Sequence, residues 1–108
     1  MTRTREAHER IKAELALEKA AALGRAGERL EDALEIVAAI GRRIDVSVSA
    51  DERQRFLGDD ETARRRATHA RLALVIQREA VGLRTHRVVD QQFPEPRRRP
   101  PGATPAAP

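Results

Sequence analysis

LGRAGERLEDALEIVAAIGRRI, residues 23–44, decides how the chain folds. Leu23, Gly27, Leu30, Leu34, Val37, Gly41 and Ile44 recur at alternating steps of four and three. That spacing keeps every member on one face of an α-helix. A second stripe, Ile11, Leu15, Ala22, Ala26, Ala33, Ile36 and Ile40, widens the expected buried face. Upstream, the chain stays rich in Ala, Glu, Leu, Lys and Arg and contains no proline. One helix is therefore expected from about Thr4 to Ile44. Gly24 and Gly27 each cost about 1 kcal/mol against Ala, but the periodicity continues on both sides, so an unbroken helix is the expectation. At 1.5 Å per residue it is on the order of 60 Å long, too long for one small monomeric domain to bury.

Outward from this helix, Asp45-Val46-Ser47-Val48 breaks the pattern. Ser49-Ala50-Asp51-Glu52 matches a capping box, which predicts a short helix reaching Phe56-Leu57. Gly58 fits the position just past its end. Asp59 and Asp60 then offer a new cap for a second long helix from about Glu61 to Gln92. Its stripe is Ala63, Ala67, Ala70, Leu74, Val81 and Val88, flanked by Leu72, Val75, Ile76 and Leu83. Pro94 ends it, because the residue before proline avoids the helical region. From Pro94 onward the chain holds all six prolines, three arginines and almost no large apolar group. Residues 94–108 read as a disordered tail.

The predicted fold is all-α: a helical hairpin over residues 1–93 with a short linker helix. Two helices cannot enclose a core alone, whereas two hairpins can, as a four-helix bundle. A homodimer is expected, with larger assemblies open. Ala13, Ala20, Gly24 and Gly27 would let another backbone approach closely, unless they express only an Ala-rich composition.

The composition narrows function mainly by exclusion. The 108 residues contain no cysteine, which removes disulfides, thiolate metal sites and cysteine nucleophiles. This fits a reducing compartment. No apolar run approaches the roughly 20 residues of a membrane span, and Met1-Thr2-Arg3-Thr4-Arg5-Glu6 is unlike a secretory signal. A cytoplasmic location is expected. Arg outnumbers Lys 19 to 2, which reads as the codon bias of a GC-rich bacterial genome. The net charge is only +4, but it is uneven: residues 45–62 sum to −4 and residues 63–93 to +5.

Three groups of residues could carry chemistry. Gln77-Arg78-Glu79 interrupts an apolar stretch, and Arg78 falls between Leu74 and Val81 on the core stripe. A charge there must be paired or desolvated. Glu14 and Glu18 on the first helix are candidate partners, so these five residues form a candidate polar cluster between the helices. It reads first as a register-fixing ion pair and second as a ligand pocket. Metal ligation is not expected: the residues three before His8, His69 and His86 are Arg5, Arg66 and Leu83, so the Glu-x-x-His motif of di-iron bundles is absent. His86 and Asp90 lie one turn apart and read as a surface pair. With Ser47 and Ser49 the only serines and no glycine-rich phosphate loop, neither an enzyme nor a cofactor is expected.

The third group comprises Arg64, Arg65, Arg66 and Arg71 at the helix start and Arg97, Arg98 and Arg99 in the tail. These could contact phosphates, although only Phe56 and Phe93 are aromatic, so a stacking platform for single strands is missing. A structural or interaction protein is the first reading of function. A nucleic-acid-associated accessory protein is the alternative.

Two stretches, Glu18-Lys19-Ala20-Ala21-Ala22-Leu23-Gly24-Arg25-Ala26-Gly27 and Val75-Ile76-Gln77-Arg78-Glu79-Ala80-Val81-Gly82-Leu83-Arg84, resemble a family of small all-helical bacterial proteins with a domain of unknown function. The resemblance spans about residues 10–92. It implies that the two stretches face each other, and it supplies no catalytic residue or ligand.

Overall fold

The computed structural model describes residues 2–100. Three helices follow one another: α1 (Thr2–Asp45), α2 (Ala50–Ala80) and α3 (Arg87–Gln92). Among the described residues there is no strand. The all-α class is as expected.

Helix α1 runs unbroken through Gly24 and Gly27. Its second half carries the buried face: Ala26, Leu30, Val37, Gly41 and Ile44. The chain then reverses through Val46–Ser49, where the Ser47 hydroxyl donates to the Ile44 carbonyl at 2.7 Å. Ser49 caps α2 as predicted, its Oγ accepting from the Glu52 amide at 3.1 Å. The Glu52 carboxylate accepts in turn from the Val48 amide. Together these bonds satisfy two amides at the turn.

Two predicted boundaries are wrong. No break occurs at Gly58, and the expected linker helix and second helix are one continuous α2. The helix-ending signal at Gly58 is overridden because Ala63 and Ala67 downstream pack against Val37 of α1. A penalty of about 1 kcal/mol is small beside that packing. The second error is at the other end. Helix α2 stops at Ala80 rather than near Gln92, because Gly82 takes φ +90. The Gly82 amide donates to the Glu79 carbonyl and the Leu83 amide to the Arg78 carbonyl. This paired Schellman closure turns the chain back.

That reversal changes the core. Val81 and Val88, expected on the buried stripe, are 37% and 44% exposed. Val89 takes their place: α3 folds onto the hairpin, and Val89 packs with Ala26, Leu30 and Leu74. Phe93 adds to this cluster. A second cluster, Val37, Ala63 and Ala67, lies nearer the turn. Because the α2 residues are alanines, the two helices can approach closely there.

Residues 94–100 also differ from expectation. Rather than a disordered tail, they form a strap against α1 and α2, tied by hydrogen bonds to Arg53, Arg64, Glu61 and Asp45. Residues 101–108 of the expected tail lie outside the described residues.

The N-terminal half of α1 has no such neighbour. Every residue from Thr2 to Ala21 is exposed, so Ile11 and Leu15, and Ile36 further on, do not join the buried face as the second stripe predicted: α2 and the strap do not reach them. The molecule measures 83 × 21 × 15 Å, with a radius of gyration of 20.7 Å; a compact domain of this length would have about 13 Å.

Candidate functional site

The most organised polar site of the molecule is built around Arg64. The side chain sits on the buried face of α2 at 2% exposure. Its Nε donates to Asp60 Oδ2 at 2.8 Å, one turn earlier. One terminal nitrogen donates to Glu95 Oε1 at 2.9 Å and the Pro96 carbonyl at 2.8 Å. The other donates to the Arg97 carbonyl at 3.0 Å. The planar fork suits this because it presents donors in fixed directions. Burial alone would lower the Arg64 pKa, but its bonds to Asp60 and Glu95 prevail and hold it above the ordinary value. Proline explains the carbonyl acceptors. Pro94 and Pro96 keep the strap extended and without backbone–backbone hydrogen bonds among its own residues, so its carbonyls remain available to Arg64.

Further ion pairs extend the seam. Arg98 reaches Glu61. Arg99 forks onto Asp45 at 3.0 and 2.6 Å, which pulls the Asp45 carboxyl below its ordinary pKa. Gly41 makes room for this: a Cβ there would collide with the Arg99 guanidinium. At α3, Arg71 forks onto Asp90 at 2.8 and 3.1 Å and likewise lowers the carboxyl's pKa. His86 and Asp90, one turn apart in sequence, thus take different partners.

The predicted phosphate contacts are therefore divided. Arg64, Arg71, Arg98 and Arg99 face carboxylates of the same chain. Arg65, Arg66 and Arg97 are exposed, and Arg65 donates to the Thr62 hydroxyl. Between the acidic segment 45–62 and the basic segment 63–93, Asp60 pairs with Arg64; Glu61 and Asp45 pair instead with Arg98 and Arg99 of the strap.

The candidate inter-helix cluster is brought together only in part. Arg78 donates from Nε to His86 Nδ1 at 3.3 Å and from a terminal nitrogen to the Thr85 carbonyl at 2.9 Å. Glu79 lies 3.1 Å from His86 Nε2. If Nδ1 accepts from Arg78, Nε2 carries the proton and donates to Glu79. The trio clamps the α2–α3 turn. Gln77 is half-buried beside it. Glu14 and Glu18 are exposed on α1 and bond to none of these residues. Because α2 ends at Ala80, Arg78 is turned toward the 81–86 loop instead of across to Glu14 and Glu18.

A groove of about 410 Å³ lies beside Arg78, lined also by Leu23, Gly27, Glu28 and Phe93. It is an open trough, and Glu18 and Glu79 do not line it. Among the described residues no group of three or more His, Asp or Glu side chains is placed to hold a metal ion, and no helix is long and apolar enough to cross a membrane.

Sequence reasoning missed the role of Arg64 and the strap. The available signals were Asp60 and Arg64 at i,i+4 on a stripe otherwise made of alanine, and three arginines following prolines. Comparison with known proteins adds nothing to this geometry: no family model, curated protein or solved structure matches the chain.

Proposed function

We propose that the chain is a structural or interaction protein that works as a homo-oligomer, a dimer of hairpins forming a helical bundle in the bacterial cytoplasm. One observation carries this reading. The surface area of 8413 Å² exceeds the roughly 6,000 Å² of a compact monomer of this length. A standard interface takes only about 800 Å² from each partner. The uncovered area includes Ile11, Leu15, Leu17 and Ile36, all between 47% and 71% exposed.

The nucleic-acid alternative has less support, since Arg64, Arg71, Arg98 and Arg99 are paired within the chain. The test is solution mass by size exclusion with light scattering, at low and high salt. Refractive-index detection is required because Trp and Tyr are absent. The expected result is a dimer or larger species at both salts. A folded monomer overturns the proposal. A mobility shift with nucleic acid that falls steeply with salt would favour the alternative.

A further inference from the structure

The two flanks of α1 are treated differently. At 3.6 residues per turn, Gly27, Glu31, Leu34, Ala38 and Gly41 share one flank of the buried face. Phe93, Pro94 and Pro96 border that flank, and Arg99 lies over Gly41. The opposite flank carries Ile11, Leu15, Ala22, Ala33 and Ile36, and the C-terminal segment does not reach it. Ile11, Leu15 and Ile36 are 62%, 47% and 53% exposed there.

Ala33 is half-buried beside the Val37–Ala63–Ala67 cluster, and the apolar positions of this flank are close to a palindrome. Ile11 and Ile36 lie equally far from the Leu23–Gly24 bond. Leu15 and Ala33 come within one residue of the same relation. Thr2 and Asp45, the ends of the helix, share the same midpoint. The charges follow the same rule with opposite sign: Glu18 and Arg29 are equidistant from it and lie on the same flank. A copy of α1 laid antiparallel over this flank sets Ile11 against Ile36, Leu15 near Ala33, and Glu18 against Arg29, each of them twice. The small, half-buried Ala22 falls near the centre, where the backbones come closest, while Ala26 stays in the core with Leu30 and Val89. A parallel copy would set Glu18 against Glu18 and Arg29 against Arg29.

We propose that a second copy of this chain docks on the Ile11–Ile36 flank of α1, with the two α1 helices antiparallel and centred near Leu23–Gly24. This rests on the homo-oligomer reading and adds to it the surface and the orientation. A closed two-fold contact is self-complementary by construction, which is what a palindromic stripe with mirrored charges provides. Paired from Ile11 to Ile36, the helices share about 38 Å of length. The N-terminal half of each α1 then lies along the packed half of the other. The unpartnered region is thereby covered without further chain.

The natural chain has no cysteine, so single cysteines report contacts cleanly. Ile11→Cys and Ile36→Cys variants are oxidised separately and as a mixture, with light scattering and circular dichroism on each. Both positions are exposed, so helicity should be retained. The proposal expects a disulfide-linked dimer from the mixture and none from either variant alone. Cross-linking of Ile11→Cys with itself means a parallel pair and overturns the proposal. A dimer by light scattering with no cross-link in the mixture overturns it while leaving the homo-oligomer reading intact. A monomer overturns both. As a second readout, Glu18→Arg is expected to weaken dimerisation about tenfold, since two attractive pairs become repulsive. Adding Arg29→Glu to the same chain should restore it. Failure of that rescue, with the fold intact, also overturns the assigned register.

Discussion

The two halves of α1 are made from similar residues and meet opposite fates. Thr2–Ala21 and Ala22–Asp45 are both rich in Ala, Glu, Leu and Arg, and both are helical. The first half has no buried residue, whereas the second holds Leu30, Val37 and Ile44 at 2% exposure or less. Helix propensity therefore does not separate them. What separates them is the reach of the rest of the chain. Helix α2 has 31 residues against the 44 of α1, and the Gly82 reversal sends α3 and the strap back toward the turn. All the packing is concentrated on one half, and the other is left available for a partner.

The contrast can be broken most forcefully at Arg64. Arg64→Ala should lower stability by about 3–5 kcal/mol, since it leaves Asp60 buried without its cation. Urea unfolding measures the loss, and hydrogen exchange should show residues 94–100 released. If the loss is small, the strap is not what completes the packed half.

A paired substitution on α1 compares the halves directly. Leu30→Ala should cost about 2–5 kcal/mol, while Leu17→Ala at 71% exposure should stay within about 0.5 kcal/mol. Similar losses at both sites would mean that the N-terminal half is packed after all.

The next effect is smaller. Gly82→Ala should cost about 1–2 kcal/mol, because its φ of +90 lies where side chains clash with the backbone. Circular dichroism should show whether α2 then lengthens toward the straight second helix that the stripe through Val81 and Val88 implies.

The weakest effect is that of pH. Arg99 and Arg71 hold the Asp45 and Asp90 carboxyls below their ordinary pKa. A depressed folded-state pKa adds stability above the unfolded value of about 3.9 and loses it as pH falls through the folded one. Melting temperature should therefore drop below about pH 4, and Asp45→Asn with Asp90→Asn should flatten that part of the profile. The pairs are exposed, so the change should be modest and should shrink in high salt.

Much of this was legible beforehand. The 4–3 spacing from Leu23 to Ile44 is periodic over several turns, and so α1 and this stripe were read correctly, whereas Ile11, Leu15 and Ile36 of the second stripe stay exposed. Ser49 followed three residues later by Glu52 is a local signal, and the cap formed where expected. The misreadings have a common cause. Gly58 and Gly82 are both glycines after an apolar residue in a helical pattern, and only tertiary packing distinguishes them. Helix α2 continues past Gly58 because the residues beyond it bury against α1. It ends at Gly82 because the chain beyond can instead place Val89 and Phe93 against Ala26, Leu30 and Leu74. Residues 94–100 were misread for a similar reason: low apolar content predicts disorder only when no buried cation waits for the carbonyls. Within the candidate cluster, the sequence grouped Arg78 and Glu79 correctly but could not supply His86, which arrives through the reversal.

The sequence by itself determined the helical class, the buried stripe of α1, the cap at Ser49 and the absence of cysteine chemistry, because these depend on residue identity and short-range spacing. Only the tertiary structure decided which glycine ends α2, that Arg64 holds the strap, and which flank of α1 stays bare. Those outcomes depend on contacts between residues far apart in the chain, where competing arrangements differ by the packing of a few side chains and short-range patterns carry no information about the winner.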